Sequence, residues 1–126
     1  MSDGIKRILI IDDSADDRFL TRKILEKKGY TVYESSDWRD ALKSLVKVSV
    51  DLVLLDMRMP EMDGLELLGI IRKNKTNMEL PIIVYTSSTA YSSMECFQSG
   101  SNAFISKYND PKILLNKIEE MLSTNP

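Results

Sequence analysis

Three stretches of the chain are apolar without interruption and of strand length: Ile8-Leu9-Ile10-Ile11, Leu52-Val53-Leu54-Leu55 and Ile82-Ile83-Val84-Tyr85. Continuous runs, unlike alternating ones, suit strands covered on both faces, as in a parallel sheet. Thr31-Val32-Tyr33 and Ala103-Phe104-Ile105 are shorter or more polar and read as edge strands. Between the runs the apolar spacing changes to three and four residues, the period of a helix. Ser14 is placed to cap a first helix, with Asp16 and Asp17 in its opening turn and Gly29 past its end. Trp38, Ala41, Leu42, Leu45 and Val46 form one face of a second helix. Asp63 with Glu66 reads as a capping box for a third, whose stripe includes Leu67, Leu68 and Ile71. Asp110-Pro111 starts the last helix, with Leu114, Ile118, Met121 and Leu122 on its core face. The remaining helix is expected between Thr89 and Gly100, loosely held, because it is serine-rich and offers only Ala90, Met94 and Phe97 as an apolar face.

The order is strand then helix, five times over. Right-handed crossovers force such a chain into an open parallel sheet with helices on both faces. With the two weak strands at the edges, the expected spatial order is 2-1-3-4-5, a flavodoxin-like, doubly wound α/β domain. Its site lies beyond the carboxyl ends of the strands.

Composition narrows the chemistry. With 126 residues, 43% hydrophobic and 29% charged, the chain reads as one globular domain, residues 1–126, with no output domain. A net charge of −2 provides no basic field for direct nucleic-acid binding, and no apolar run approaches the length of a membrane span. One cysteine, Cys96, forbids an internal disulfide, and a cytoplasmic location is expected. The chain has no histidine, which excludes histidine-based nucleophilic centres, a histidine zinc site and any phosphohistidine of its own.

At the expected carboxyl rim, strand one ends in Asp12-Asp13, strand three in Asp56 and strand four in Thr86, and strand five is followed by Lys107. Three neighbouring carboxylates repel one another unless a cation sits among them, and an all-oxygen set favours Mg²⁺ or Mn²⁺ over zinc. Lys107 supplies a mobile point charge for a phosphoryl oxygen and Thr86 a hydroxyl donor. These are the ingredients of phosphoryl transfer onto an aspartate.

At these residues the chain resembles the response-regulator receiver domains, the phosphoacceptor modules of two-component signalling and phosphorelays. The resemblance rests on Ile10-Ile11-Asp12-Asp13, on the run from Leu54 to Gly64, on Pro81-Ile82-Ile83-Val84-Tyr85-Thr86-Ser87 and on Phe104-Ile105-Ser106-Lys107. It implies that Asp56 is the phosphoacceptor, and that Asp12, Asp13, Asp56 and the backbone carbonyl of Arg58 hold Mg²⁺. It further implies that Lys107 contacts the phosphoryl group, that Thr86 and Phe104 are switch residues, and that Arg58 and Ser88 flank the path of the hydrolytic water. A histidine kinase or histidine phosphotransfer protein would be the donor. An unidentified protein target would bind the face from Thr89 to Ser123. The chain departs from the family in having Tyr108 after Lys107, where proline and a cis bond are usual. Phe104 lacks a tyrosine hydroxyl, so it would report the switch by packing. The competing reading is a receiver-like scaffold that acts without phosphorylation. A flavin protein or an aspartate-nucleophile phosphatase fits less well, because Asp12-Asp13-Ser14-Ala15-Asp16-Asp17 would repel a flavin phosphate and the nucleophile would stand after strand one.

Overall fold

The computed structural model describes residues 4–74 and 78–123; the polar connection at 75–77 and the chain ends lie outside the described residues. Five strands, β1 (Arg7–Ile11), β2 (Thr31–Ser35), β3 (Leu52–Leu55), β4 (Ile82–Thr86) and β5 (Ala103–Ser106), alternate with five helices. The helices are α1 (Ala15–Lys27), α2 (Trp38–Lys47), α3 (Gly64–Lys73), α4 (Ser93–Gln98) and α5 (Pro111–Ser123). All strand pairs are parallel and the spatial order is β2-β1-β3-β4-β5, the expected doubly wound arrangement.

The uninterrupted runs are buried on both sides. Leu9, Ile11, Val53, Leu55, Ile82 and Val84 face a core with Leu67, Leu68 and Ile71 of α3 and Ala41 of α2. Ile8, Ile10, Leu52, Leu54 and Ile83 face the opposite core with Leu25 of α1 and Leu114 and Ile118 of α5. The helix starts follow the expected caps. Ser14 Oγ accepts from Asp17 N at 3.1 Å, and Asp110 Oδ1 accepts from Lys112 N at 2.9 Å. Asp63 does cap α3, but through the Leu65 N–H at 2.9 Å rather than in a box with Glu66.

The fourth helix departs most from expectation. It is six residues long and starts at Ser93, because Ser92 and Glu95 close a reciprocal capping box that fixes its first turn there. Gly100, at φ +120°, follows its end. Its buried residue is Cys96, whereas Met94 and Phe97 are 63% and 68% exposed. The stripe of larger apolar residues is therefore the outer face, and the small thiol is what fits between α4 and the sheet. Val46 likewise points outward, at 79% exposure, although its spacing places it in the α2 stripe.

Arg72 of α3 holds the far end of α4. Its guanidinium donates to Gly100 O at 2.8 Å, Leu80 O at 2.7 Å and Asn102 Oδ1 at 2.8 Å. A Cβ on Gly100 would lie 2.7 Å from Arg72 Cγ, so both the positive φ and the close approach require glycine there.

The two faces can be separated by experiment. Leu54→Ala, at a position 1% exposed, should cost about 2–5 kcal/mol in urea denaturation. Phe97→Ala should stay within about 0.5 kcal/mol of wild type.

Candidate functional site

Parallel register brings the strand ends to one rim. Ile11 is opposite Leu55, Leu55 opposite Val84 and Thr86 opposite Ser106. Asp56 N continues the ladder to Ile11 O at 2.9 Å, and Lys107 N to Thr86 O at 3.0 Å. Asp12, Asp56, Thr86 and Lys107 are thus delivered to one place by backbone pairing, before any side chain chooses a rotamer.

Asp12 and Asp56 are 3% and 5% exposed, while Asp13 is open to solvent. One oxygen from each of the three lies within 4.8 Å of the others. Asp12 Oδ1 accepts from Ser14 N at 2.9 Å and Oδ2 from Lys107 Nζ at 2.6 Å. Asp56 Oδ1 accepts from Thr86 Oγ1 at 2.6 Å and from Arg58 N at 3.0 Å; its Oδ2 accepts from Lys107 at 2.9 Å. Ser88 N donates to Thr86 Oγ1 at 3.1 Å, which leaves the Thr86 proton for Asp56.

The matching pattern extends along almost the whole chain: the response regulator receiver domain family matches residues 8–119. The chain belongs to that family.

Related receivers occur in longer proteins. The chain is 38% identical over 115 residues to the CAI-1 autoinducer sensor kinase/phosphatase CqsS of Vibrio cholerae, covering 90% of this chain and 17% of that protein. It is 31% identical over 117 residues to the transcriptional regulatory protein ResD of Bacillus subtilis, covering 92% of this chain and 48% of that one. The chain therefore spans less than half the length of these two relatives. Among solved structures, the response regulator TrrA of Thermotoga maritima in complex with Mg²⁺-BeF superposes with a TM-score of 0.85 at 32% identity, covering 94% of this chain and all of that one. The chemotaxis response regulator CheY4 of Vibrio cholerae gives a TM-score of 0.86 at 28% identity, with the same coverage.

In this receiver, burial pushes the Asp12 carboxyl above its ordinary value, and the bonds from Lys107 and Ser14 N only partly oppose it. Burial pushes Asp56 the same way, but Thr86, the Arg58 N–H and Lys107 outweigh it and hold Asp56 below the ordinary value. Burial draws the Lys107 ammonium down; its bonds to Asp12, Asp17 and Asp56 prevail, and its pKa is raised. The acids outnumber the single ammonium and present only oxygen, so the set fits a hard divalent cation.

The other expected residues stand around this centre. Arg58 and Ser88 line, with Asp13, a groove of about 590 Å³ beside the acids. Phe104 stands apart from them. It packs on the core and borders a cavity of about 390 Å³ with Met94 and Phe97. The Lys107–Tyr108 bond is trans, and Tyr108 N donates to Ser106 Oγ at 3.1 Å, a bond proline lacks.

Two neighbours of Lys107 went unassigned in the sequence. Asp17 Oδ2 accepts from its ammonium at 2.8 Å, and the Tyr85 ring lies 5.9 Å from it. Asp17 reads as a first-turn helix acid, and only its place one turn after Asp13 signals that it shares the rim.

Removing the cation of this cluster leaves buried carboxylates facing one another. Lys107→Ala, measured in chelator, should lose about 3 kcal/mol. Adding Mg²⁺ should recover more in the variant than in wild type. The lysine's folded pKa lies above its unfolded value, so its contribution is fully present below about pH 10 and is lost only as pH rises through the folded pKa. The difference between wild type and Lys107→Ala should therefore be flat from about pH 7 to 9 in urea titrations.

Proposed function

We propose that this receiver is a phosphorylation-driven switch in which Asp56 takes a phosphoryl group from a phosphohistidine on a histidine kinase or histidine phosphotransfer protein. The observation that carries the reading is the convergence of Lys107 Nζ, Thr86 Oγ1 and Arg58 N on the Asp56 carboxylate. An Asp56 oxygen forms the new O–P bond as the N–P bond of the donor breaks and its imidazole leaves. Mg²⁺ or Mn²⁺, held by Asp12, Asp13, Asp56 and the Arg58 carbonyl, would offset charge on the phosphoryl oxygens. Lys107 and Thr86 are positioned to follow those oxygens, because each already donates to the carboxylate that accepts them. Asp56 is kept ionised at neutral pH by the same donors, which suits a nucleophile that has no histidine beside it.

The output is a changed surface on α4, β5 and α5. Thr86 turns toward the phosphoryl group, and Phe104 on the neighbouring strand changes its packing against the α4 side. The short α4, pinned by Arg72 at one end and by one capping box at the other, is an element that moves at low cost. The relationship to a sensor kinase and to a transcriptional regulator supports a place in two-component signalling. The target is a protein. The resting state returns by slow hydrolysis of the acyl phosphate, with Arg58 and Ser88 beside the water's approach.

Incubation with acetyl phosphate and Mg²⁺ should give one phosphoryl addition by intact mass, absent with chelator and absent in Asp56→Asn. No addition to wild type, with no response to beryllofluoride, would favour a phosphorylation-independent scaffold instead. Arg58→Ala and Ser88→Ala should each change the phosphoryl half-life by about two-fold or more, in line with the loss of one polar contact; unchanged decay in both would remove these residues from hydrolysis control.

A further inference from the structure

The ammonium of Lys107 has three protons, and all three are spent on carboxylates: Asp12 Oδ2, Asp17 Oδ2 and Asp56 Oδ2. Two of these partners are unreliable through a phosphorylation cycle. Asp12 and Asp56 belong to the acid cluster, where a divalent cation would compete with the ammonium for the same two carboxylates. Phosphorylation would then turn an Asp56 oxygen into the bridging oxygen of an acyl phosphate and remove the carboxylate's charge. Asp17 is outside the cluster, so neither the cation nor the phosphoryl group would draw on its carboxylate.

The backbone that carries it is fixed. Asp17 lies in the first turn of α1, and its own N–H is bound by the Ser14 hydroxyl at 3.1 Å. The Lys107 side chain is 11% exposed, but its surroundings on that side are not filled. The lysine borders a cavity of about 200 Å³ between α1 and α5, lined also by Asp17, Leu20, Thr21, Ile24, Tyr85 and Pro111. A flexible four-carbon stem beside open space loses its position when its charge partners leave.

We infer that Asp17 is a positioning residue: its ion pair with Lys107 keeps the ammonium at the rim while Asp12 and Asp56 are taken up by cation and phosphoryl group. The inference deepens, and rests on, the phosphoacceptor reading of Asp56. Asp17 touches no reacting atom and acts only through Lys107.

Two measurements test it. In ¹⁵N-lysine-labelled protein, the Lys107 ammonium should give a slowly exchanging resonance that survives Mg²⁺ saturation in wild type and is lost in Asp17→Asn. With acetyl phosphate and Mg²⁺, Asp17→Asn and Asp17→Ala should be phosphorylated about three- to ten-fold more slowly, less than the roughly hundred-fold loss of a group misplaced by about 1 Å because Asp17 acts only through Lys107. Asp17→Glu should recover part of the rate, and Asp17→Ala should add no slowing in a Lys107→Ala background. The inference is overturned by a resonance that Asp17→Asn leaves unchanged, or that Mg²⁺ abolishes in wild type. It is equally overturned by unchanged or faster phosphorylation, or by the same slowing without Lys107. If wild type takes no phosphoryl group, the proposed function fails, and the ammonium resonance still decides whether Asp17 holds Lys107.

Discussion

Like-charge repulsion at the carboxyl rim is the constraint around which this receiver is arranged. Asp12 and Asp56 are almost wholly buried, Asp13 stands beside them, and their oxygens lie within 4.8 Å of one another. Burial alone would drive both buried acids toward the neutral form. Asp56 escapes because three donors from three different segments meet on it: a hydroxyl, a backbone N–H and an ammonium. Asp12 does not escape, and its carboxyl is pushed upward. The site is therefore held by one cation among several acids, a balance that a divalent ion or a phosphoryl group can readily alter.

The sheet makes that balance possible. Parallel pairing places the last residues of β1 and β3 side by side, carries β4 two residues further to Thr86 and sends β5 into Lys107. The strands behind them are packed on both faces, so the rim cannot relax by moving its backbone apart. Freedom lies instead in the side chains and in α4, which is short, lightly buried and joined to the rest by Arg72 at one end. A rigid charge centre beside a short, lightly buried helix suits the proposed switch, in which a local charge change would pass to the least packed element.

Much of this was legible in the chain itself. Uninterrupted apolar runs such as Leu52-Val53-Leu54-Leu55 have one good solution, a strand covered on both faces, and their alternation with capped helices leaves few topologies. Asp12, Asp13, Asp56, Thr86 and Lys107 could be assembled because each directly follows or ends such a strand. Hydrophobic size points to the wrong face of α4, because the space beneath it admits Cys96 and the larger Met94 and Phe97 are left outside. Asp17 was seen only as a helix-start acid, since its role depends on a lysine 90 positions away.

The sequence by itself determined the strand order, the rim on which the acids meet and the chemical type of each group there, because backbone periodicity and strand ends are local properties. Tertiary structure alone decided which donor meets which oxygen, that Asp56 rather than Asp12 stays readily ionised, and that Asp17 shares the ammonium of Lys107. Those outcomes depend on distances of about 3 Å between residues far apart in the chain, and on burial, which no local pattern encodes.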